Sequence, residues 1–382
     1  MKKILFMLTL LTVVLLSGCW DEEQPERMYY IQGVGVDYKD GQYEIFVQII
    51  DFVNVAKTES PNPEAIQVEV GTAKGDTITE AFMNLYHTLD LKLFWGHLTF
   101  ILLSEEVLKD GRIKNILTLF THYRETRYQM WYYATDGDIK ELLLATPILN
   151  RAVTMSKLAD PFSSFKQESY VAPITMRDLV IDMNEPGHEV SLPFFKVSDN
   201  WETEKGVSKS TKIDGVAVFN TTKYKGTLIG EDAYGLVWMT PETKRGQVTV
   251  GNNQDAFTVI IEDFKVKVDA VEQSGDLKFN VAINVNALLS TSNRNVSEKE
   301  IKEGVEKKIK EQVEKTYKLA LEKDMDIYRL SEKAYRQQLK AWKKVEKDGA
   351  IPLTEDSLRD IKVTVEKINT GRKNFDLIIK EK

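Results

Sequence analysis

Cysteine occurs once in this chain, at position 19, and that limits the possible folds more than any other feature. No disulfide can form within the chain, so the body must be held together by packing alone. The same count excludes a metal site built from cysteines and a thiol nucleophile in the body. The residues before Cys19 explain its place. Met1-Lys2-Lys3 is a short basic start, 4–16 is apolar apart from Thr9 and Thr12, and Ser17-Gly18 supplies small side chains. That order is a secretory signal peptide over 1–18. The apolar run falls short of the roughly 20 residues that cross a bilayer, which argues against an uncleaved anchor. A cysteine directly after the cut is the residue that bacterial lipoprotein processing modifies with a diacylglycerol. An ordinary signal peptide with a chance cysteine is the plainer alternative, and the lack of cysteine elsewhere disfavours it. At about 0.8 kcal/mol per buried CH₂, two acyl chains make the anchor effectively permanent.

The mature chain would be 19–382, and loss of Lys2 and Lys3 takes the net charge from −7 to −9. Its length exceeds what one core usually serves, so two or three domains are expected. The acidic body does not suit nucleic acid, whose binders carry a basic patch. No second apolar run approaches membrane-spanning length. Residues 19–27 read as a lipidated, charged tether; the eight after Cys19 reach about 25–30 Å when extended, so the body stays close to the bilayer.

Residues 28–53 read as a β-hairpin with its turn at Lys39-Asp40-Gly41. Gly33-Val34-Gly35-Val36-Asp37 invites a phosphate-loop reading, but the sixth position is Tyr38 and no helix follows. Glycines at a strand bulge or close crossing fit better. After a loop carrying Pro61 and Pro63, a strand is expected over 67–73. Thr77 and Glu80 give a capping box ahead of Ile78, Phe82, Leu85 and Leu89 at helical spacing. Residues 91–95 and 98–103 suggest a strand pair or one bent strand. A helix over 104–120 is expected to break near Asp110-Gly111, and an aromatic strand covers 128–134. Asp138 caps another helix, 148–158 reads as a further short one, and 175–183 as one more. A strand is expected over 192–197, then β-rich sequence over 212–250, including a strand at 234–239. Two long alternating strands over 256–271 and 277–289 follow. Ser297 and Glu300 open a long helix with an apolar residue every fourth position, from Ile301 to Leu321. That stripe fits packing on a sheet, because a coiled coil alternates three and four. A second helix over 328–345 and a hairpin of 361–368 with 375–379 close the chain.

Candidate chemistry is sparse. His87, His97, His122 and His188 show no i, i+4 pairing of a helical zinc site. His97, in an apolar stretch after Trp95-Gly96, is expected as a buried, satisfied imidazole. No Gly-x-Ser-x-Gly elbow occurs. The Lys and Glu residues over 298–318 read as a solvated helix face. Binding to a membrane partner is what elimination leaves.

Several motifs in order resemble the C subunits of the bacterial spore germinant receptors, the Ger(x)C lipoprotein family. They are Gly18-Cys19-Trp20-Asp21, Gly33-Val34-Gly35-Val36-Asp37, Phe94-Trp95-Gly96-His97-Leu98, Glu125 with Arg127, Gly215-Val216-Ala217-Val218-Phe219, Gly235-Leu236-Val237-Trp238, and Trp342. The expected class is α+β: a three-domain lipoprotein with mixed and antiparallel sheets and packed helices, its last domain a sheet plus a long helix. The boundaries read as 28–200, a small β-rich middle unit over 201–255, and 256–382. The resemblance implies a non-enzymatic subunit with no cofactor, lipid-anchored through Cys19 on the outer face of the spore's inner membrane. It would assemble with integral-membrane A and B subunits and take part in nutrient-triggered germination. Trp95, Gly96, His97, Glu125 and Arg127 are then candidates for partner contact or for a structural motif. Two other classes remain open. A solute-binding lipoprotein of a transporter needs two similar lobes around a cleft, and an envelope hydrolase needs paired carboxylates or a metal in one.

Overall fold

The computed structural model describes residues 27–50 and 68–369, with Arg124 and Thr222 set aside. Cys19, the tether and the strand expected over 375–379 lie outside these residues. The fold is α+β, with two sheets and helices packed on them.

The first sheet is mixed. Strands β1 (Met28–Lys39) and β2 (Gln42–Ile50) form the expected hairpin. Asp40 and Gly41 take φ of 53° and 83°, as the tight two-residue turn requires. The expected bulge lies in β1, where the register shifts between Ile31 and Gly33. β3 (Val68–Gly75) adds antiparallel to β2. On the other side of β1, β4 (Lys92–Phe94) and β5 (Phe100–Ser104) both run parallel to it, joined by a 3-10 turn over Trp95–His97. The chain here is one bent strand. β6 (Trp131–Thr135), β7 (Val190–Thr203), β8 (Gly206–Phe219) and β9 (Tyr224–Ile229) complete the sheet. β5 alternates between two cores, Ile101 and Leu103 facing one and Phe100 and Leu102 the other, as a strand buried on both faces must.

Caps start the helices where the sequence places them. Thr77 accepts from Glu80 N–H at 3.1 Å to open α1 (Ile78–Tyr86), although the Glu80 carboxylate returns to Asp76 N–H at 2.8 Å and not to Thr77. α2 (Glu105–Leu108) and α3 (Ile113–His122) are separated at Asp110, whose φ is 54°. Asp138 caps α4 (Ile139–Leu144). α5 (Pro161–Gln167) and α6 (Met176–Asn184) follow. The short helix expected over 148–158 is absent; two 3-10 turns, Ile148–Asn150 and Val153–Met155, stand there. Leu149 is left-handed and Arg151 extended, so neither turn reaches the length at which a helix propagates.

The second sheet is β10 (Gly246–Val250), β11 (Phe257–Gln273), β12 (Asp276–Ser292) and β13 (Leu358–Asn369), antiparallel except for the parallel pair β12 and β13. The strands over 201–255 are divided between the two sheets. β8 and β9 extend the first, β10 opens the second, and β8 joins their cores: Ala217 and Phe219 enter one, Val216 and Val218 the other. The strand expected at 234–239 is a helix, α7 (Gly235–Met239), because a short buried apolar run carries no period that separates the two.

α8 (Glu298–Leu321) begins with a complete capping box, Ser297 and Glu300 each bonding the other's backbone N–H. Ile301, Val305, Ile309, Val313 and Tyr317 are buried in the core of the second sheet. The single helix expected over 328–345 is two, α9 (Leu330–Gln337) and α10 (Leu339–Val345). The break is held from outside: Gln337 Oε1 accepts from Ala270 N–H at 2.7 Å and Gln338 Nε2 donates to Ala270 O at 3.1 Å.

Gly235 lets α7 meet α8. Its N–H donates to Thr316 Oγ1 at 2.9 Å, and a Cβ here would stand 2.2 Å from Tyr328 Oη. Gly235→Ala is expected to cost about 1–3 kcal/mol through overpacking, read as a lower urea midpoint with unchanged slope.

Candidate functional site

The pairing of β1 with β4 sets Tyr30 beside Phe94. It thereby puts the Trp95–His97 turn at the end of the first sheet where the tether joins. Alternate residues of this turn part ways. The Trp95 indole goes inward and is 5% exposed. It meets Phe82 edge-on at 5.1 Å and stacks on Tyr123 at 5.7 Å. Its backbone N–H donates to Glu125 Oε2 at a long 3.4 Å. Gly96 leaves room for Phe94 to fold back, since a Cβ would lie 2.6 Å from that ring.

His97 goes outward. It is exposed, contrary to the sequence reading, and packs against Tyr30 (5.4 Å) and Phe94 (5.6 Å) on the surface. Partial burial, then the charge of exposed Arg127, lowers its pKa, which favours the neutral ring near pH 7. The structure thus joins Trp95 to Glu125 and sets His97 within electrostatic reach of Arg127 at one end of one sheet. A cavity of about 390 Å³ opens beside Trp95, lined by Tyr86, Leu89, Leu91, Tyr123 and Glu125. Burial and the neighbouring Tyr123 push the Tyr86 phenol up to about 12 against a hydrogen bond with Trp95, so it stays a neutral hydroxyl. An apolar hollow rimmed by the Glu125 carboxylate and by Lys92 is suited to gripping another molecule's surface.

Two features escaped sequence reasoning. The first is a buried polar seam between the two halves. His188 Nδ1 lies 2.7 Å from Glu332 Oε2, and its Nε2 lies 3.3 Å from Asp182 Oδ2 without hydrogen-bond geometry. Glu189 accepts from Asp326 N–H at 2.9 Å and pairs with Lys225. Asp326 in turn accepts from Leu330 N–H at 2.7 Å and Ser331 N–H at 2.6 Å, which starts α9. Burial works to lower the His188 pKa, but the neighbouring carboxylates of Asp182 and Glu332 prevail and raise it. Burial, with Glu189 adding to it, pushes the Asp326 carboxyl up to about 7. Burial opposes ionisation of Glu332 too, yet His188 holds its pKa below the ordinary value.

The second is a cleft of about 830 Å³ between α8, β10 and residues 168–170. Tyr170 and Tyr234 pack edge-on in it at 5.2 Å. Arg245 and Lys308 also line it, and neither forms an ion pair among the described residues. No local motif marks either feature, because each is assembled from distant segments. Among the described residues, no cluster of His, Cys, Asp and Glu could hold a metal ion.

Comparison with known proteins agrees with this architecture. Residues 21–197 match the family described as spore germination protein N-terminal domain, and 214–371 that described as spore germination B3/GerAC like, C-terminal. The chain is 23% identical over 294 residues to spore germination protein B3 of Bacillus subtilis (strain 168), covering 75% of this chain and 74% of that one. It is 23% identical over 310 residues to spore germination protein KC of the same organism, with the same shares covered. The crystal structure of the GerBC protein shares the fold at a TM-score of 0.56 and 19% identity, over 91% of this chain and 100% of that one.

Proposed function

This chain belongs to the GerAC-like spore germination family, matched over 21–197 and 214–371, and from that premise we propose that it is a lipid-anchored, non-enzymatic subunit of a membrane germinant receptor. The observation that carries the reading is the position of the motif residues. Trp95, Gly96, His97, Glu125 and Arg127 gather at the end of the first sheet from which the tether to Cys19 leaves. A side chain set that close to a bilayer is placed to meet integral-membrane subunits. In this reading Cys19 carries the diacylglycerol on the outer face of the spore's inner membrane. The 95–97 turn and its hollow dock on the A and B subunits, and the complex answers nutrients.

Cys19→Ala is expected to release the protein from the membrane fraction or leave the precursor uncleaved, as read by fractionation and mass. Spores carrying it, or lacking the gene, should fail to respond to at least one nutrient. Unchanged membrane retention and size would refute the anchor, and normal germination with every nutrient would refute the receptor role. A second reading, a solute-binding lipoprotein of a transporter, draws on the cleft with Tyr170, Tyr234, Arg245 and Lys308. Calorimetry with amino acids and sugars separates the two: tight binding by the isolated protein favours the second.

A further inference from the structure

Residues 144–162 turn large apolar side chains outward. Leu149 is 84% exposed, Met155 64%, Phe162 49%, Leu144 44% and Ile148 38%. Soluble surfaces scatter such residues singly, and a concentration of them marks a binding surface. Leu149 also sits at φ 60°, a conformation unusual for a residue with a side chain, and it holds that side chain out in solvent.

The strand register fixes where this loop lies. A Cβ on Gly35 would touch Ile139 Cγ2 at 2.2 Å. Gln48, which pairs with Gly33, donates from Nε2 to Leu143 O at 2.6 Å. Helix α4 therefore runs against β1, from the level of Gly35 to that of Gly33, and the chain continues past it toward Met28. Trp131 is level with Phe100 and so with Gly33, and it meets Phe162 edge-on at 5.1 Å. Both ends of the loop thus lie level with Gly33, where β5 and β6 begin and five residues along β1 from its start at Met28, on the half of the sheet nearer the tether.

Charge distinguishes the possible occupants. Arg151, Lys157 and Lys166 are exposed in or just after the loop, and none forms an ion pair or side-chain hydrogen bond among the described residues. Apolar tips set among free cations suit an anionic lipid surface, where side chains enter the acyl boundary and cations meet headgroups. The tether spans only about 30 Å when fully extended, so this end of the body stays within that distance of the bilayer. We infer that the 144–162 loop is a membrane-seating surface. Ile148 and Leu149 enter the leaflet that holds the lipid anchor, and Arg151, Lys157 and Lys166 bind anionic headgroups. The inference rests on the reading of Cys19 as that anchor. With two points of attachment the body is held in one orientation, and the 95–97 turn faces along the membrane toward its partners.

The test uses the mature chain extracted from membranes, carrying Leu149→Cys. An acylated Cys19 leaves the new thiol as the one free site for an environment-sensitive NBD label. The labelled chain is reconstituted into phosphatidylcholine vesicles containing phosphatidylglycerol and doxyl-lipid quenchers. The label at 149 should shift to the blue and be quenched. A label at Glu272→Cys, on the β11–β12 hairpin, should show neither effect. Water-like emission without quenching at 149 overturns the inference. So does a label shielded in native membranes but exposed in pure lipid, since the occupant is then a protein. Intact mass reads the anchor separately. A free Cys19 thiol refutes the anchor, and Leu149→Cys combined with Cys19→Ser then decides the loop by its quenching on the same vesicles.

Discussion

Glu332→Ala is expected to lower the stability of the folded chain by about 3–5 kcal/mol, the scale for breaking a buried ion pair from one side. Glu332 is 6% exposed and serves two cations, His188 at 2.7 Å and Arg336 at 2.9 Å. Its removal leaves the buried imidazole facing only Asp182, in poor geometry. The variant should also change how stability depends on pH. His188 has a raised pKa in the folded state, so its contribution is complete below its unfolded value and fades as pH climbs through the folded one. Asp326, at about 7 when folded against an ordinary 3.8, adds a penalty that grows as pH rises from the second value to the first. Both make the wild-type seam weaken on passing upward through neutrality. Glu332, lowered from 4.5, contributes above that value and loses its contribution on acidification. Denaturant midpoints from about pH 2 to about pH 8 should therefore rise on the acid side, below the ordinary 4.5 of Glu332, and then fall toward and past neutrality for the wild type. The Glu332→Ala profile should be lower, with its acid limb gone and its alkaline slope reduced. A variant that tracks the wild type at every pH would show that the seam contributes nothing.

Trp95→Ala is expected to cost about 3–5 kcal/mol, the range for emptying a buried aromatic site. The indole is the centre on which Phe82, Phe120 and Tyr123 converge. Its loss would merge its own volume with the adjoining hollow of about 390 Å³. Calorimetric melting should show the drop, and spores with this variant should germinate poorly for lack of folded protein. His97→Ala and Arg127→Ala supply the contrast. Both residues are exposed, so stability should stay within about 0.5 kcal/mol of wild type. A slowed germination response with an unchanged melt would then report a docking contact. Normal germination from both would remove this face from the partner surface.

Local chemistry was the legible part of the sequence. Thr77, Asp138 and Ser297 mark helix starts because a cap is read by residues three apart. Asp40-Gly41 marks its turn by backbone permissiveness, and the four-residue stripe of α8 marks its buried face. What failed was decided at long range. Leu236, Val237 and Trp238 are buried whether strand or helix, and the contact of Gly235 with Thr316, 81 residues away, settles the matter. The break at Gln338 depends on an edge of β11 that no local pattern announces. His97 was misjudged because an apolar neighbourhood in sequence does not fix which way a 3-10 turn points each side chain. The motif residues stand close together in sequence, yet the hollow beside Trp95 needed Tyr86 and Leu89 from another helix and its trailing loop. The seam was invisible for the same reason, His188 and Glu332 being 144 positions apart.

That separation has a consequence for the order of events as the chain is made. His188 and Glu189 leave the ribosome long before Asp326 and Glu332. At about 5–20 residues per second the interval is roughly 7–30 s. Throughout it the early pair must remain hydrated, and the first sheet presents an open, ionised rim. Only arrival of the segment around Asp326 lets that rim dry. The seam thus works as a proof of completion: a polypeptide cut short before Asp326 could form its early hairpins but could not close.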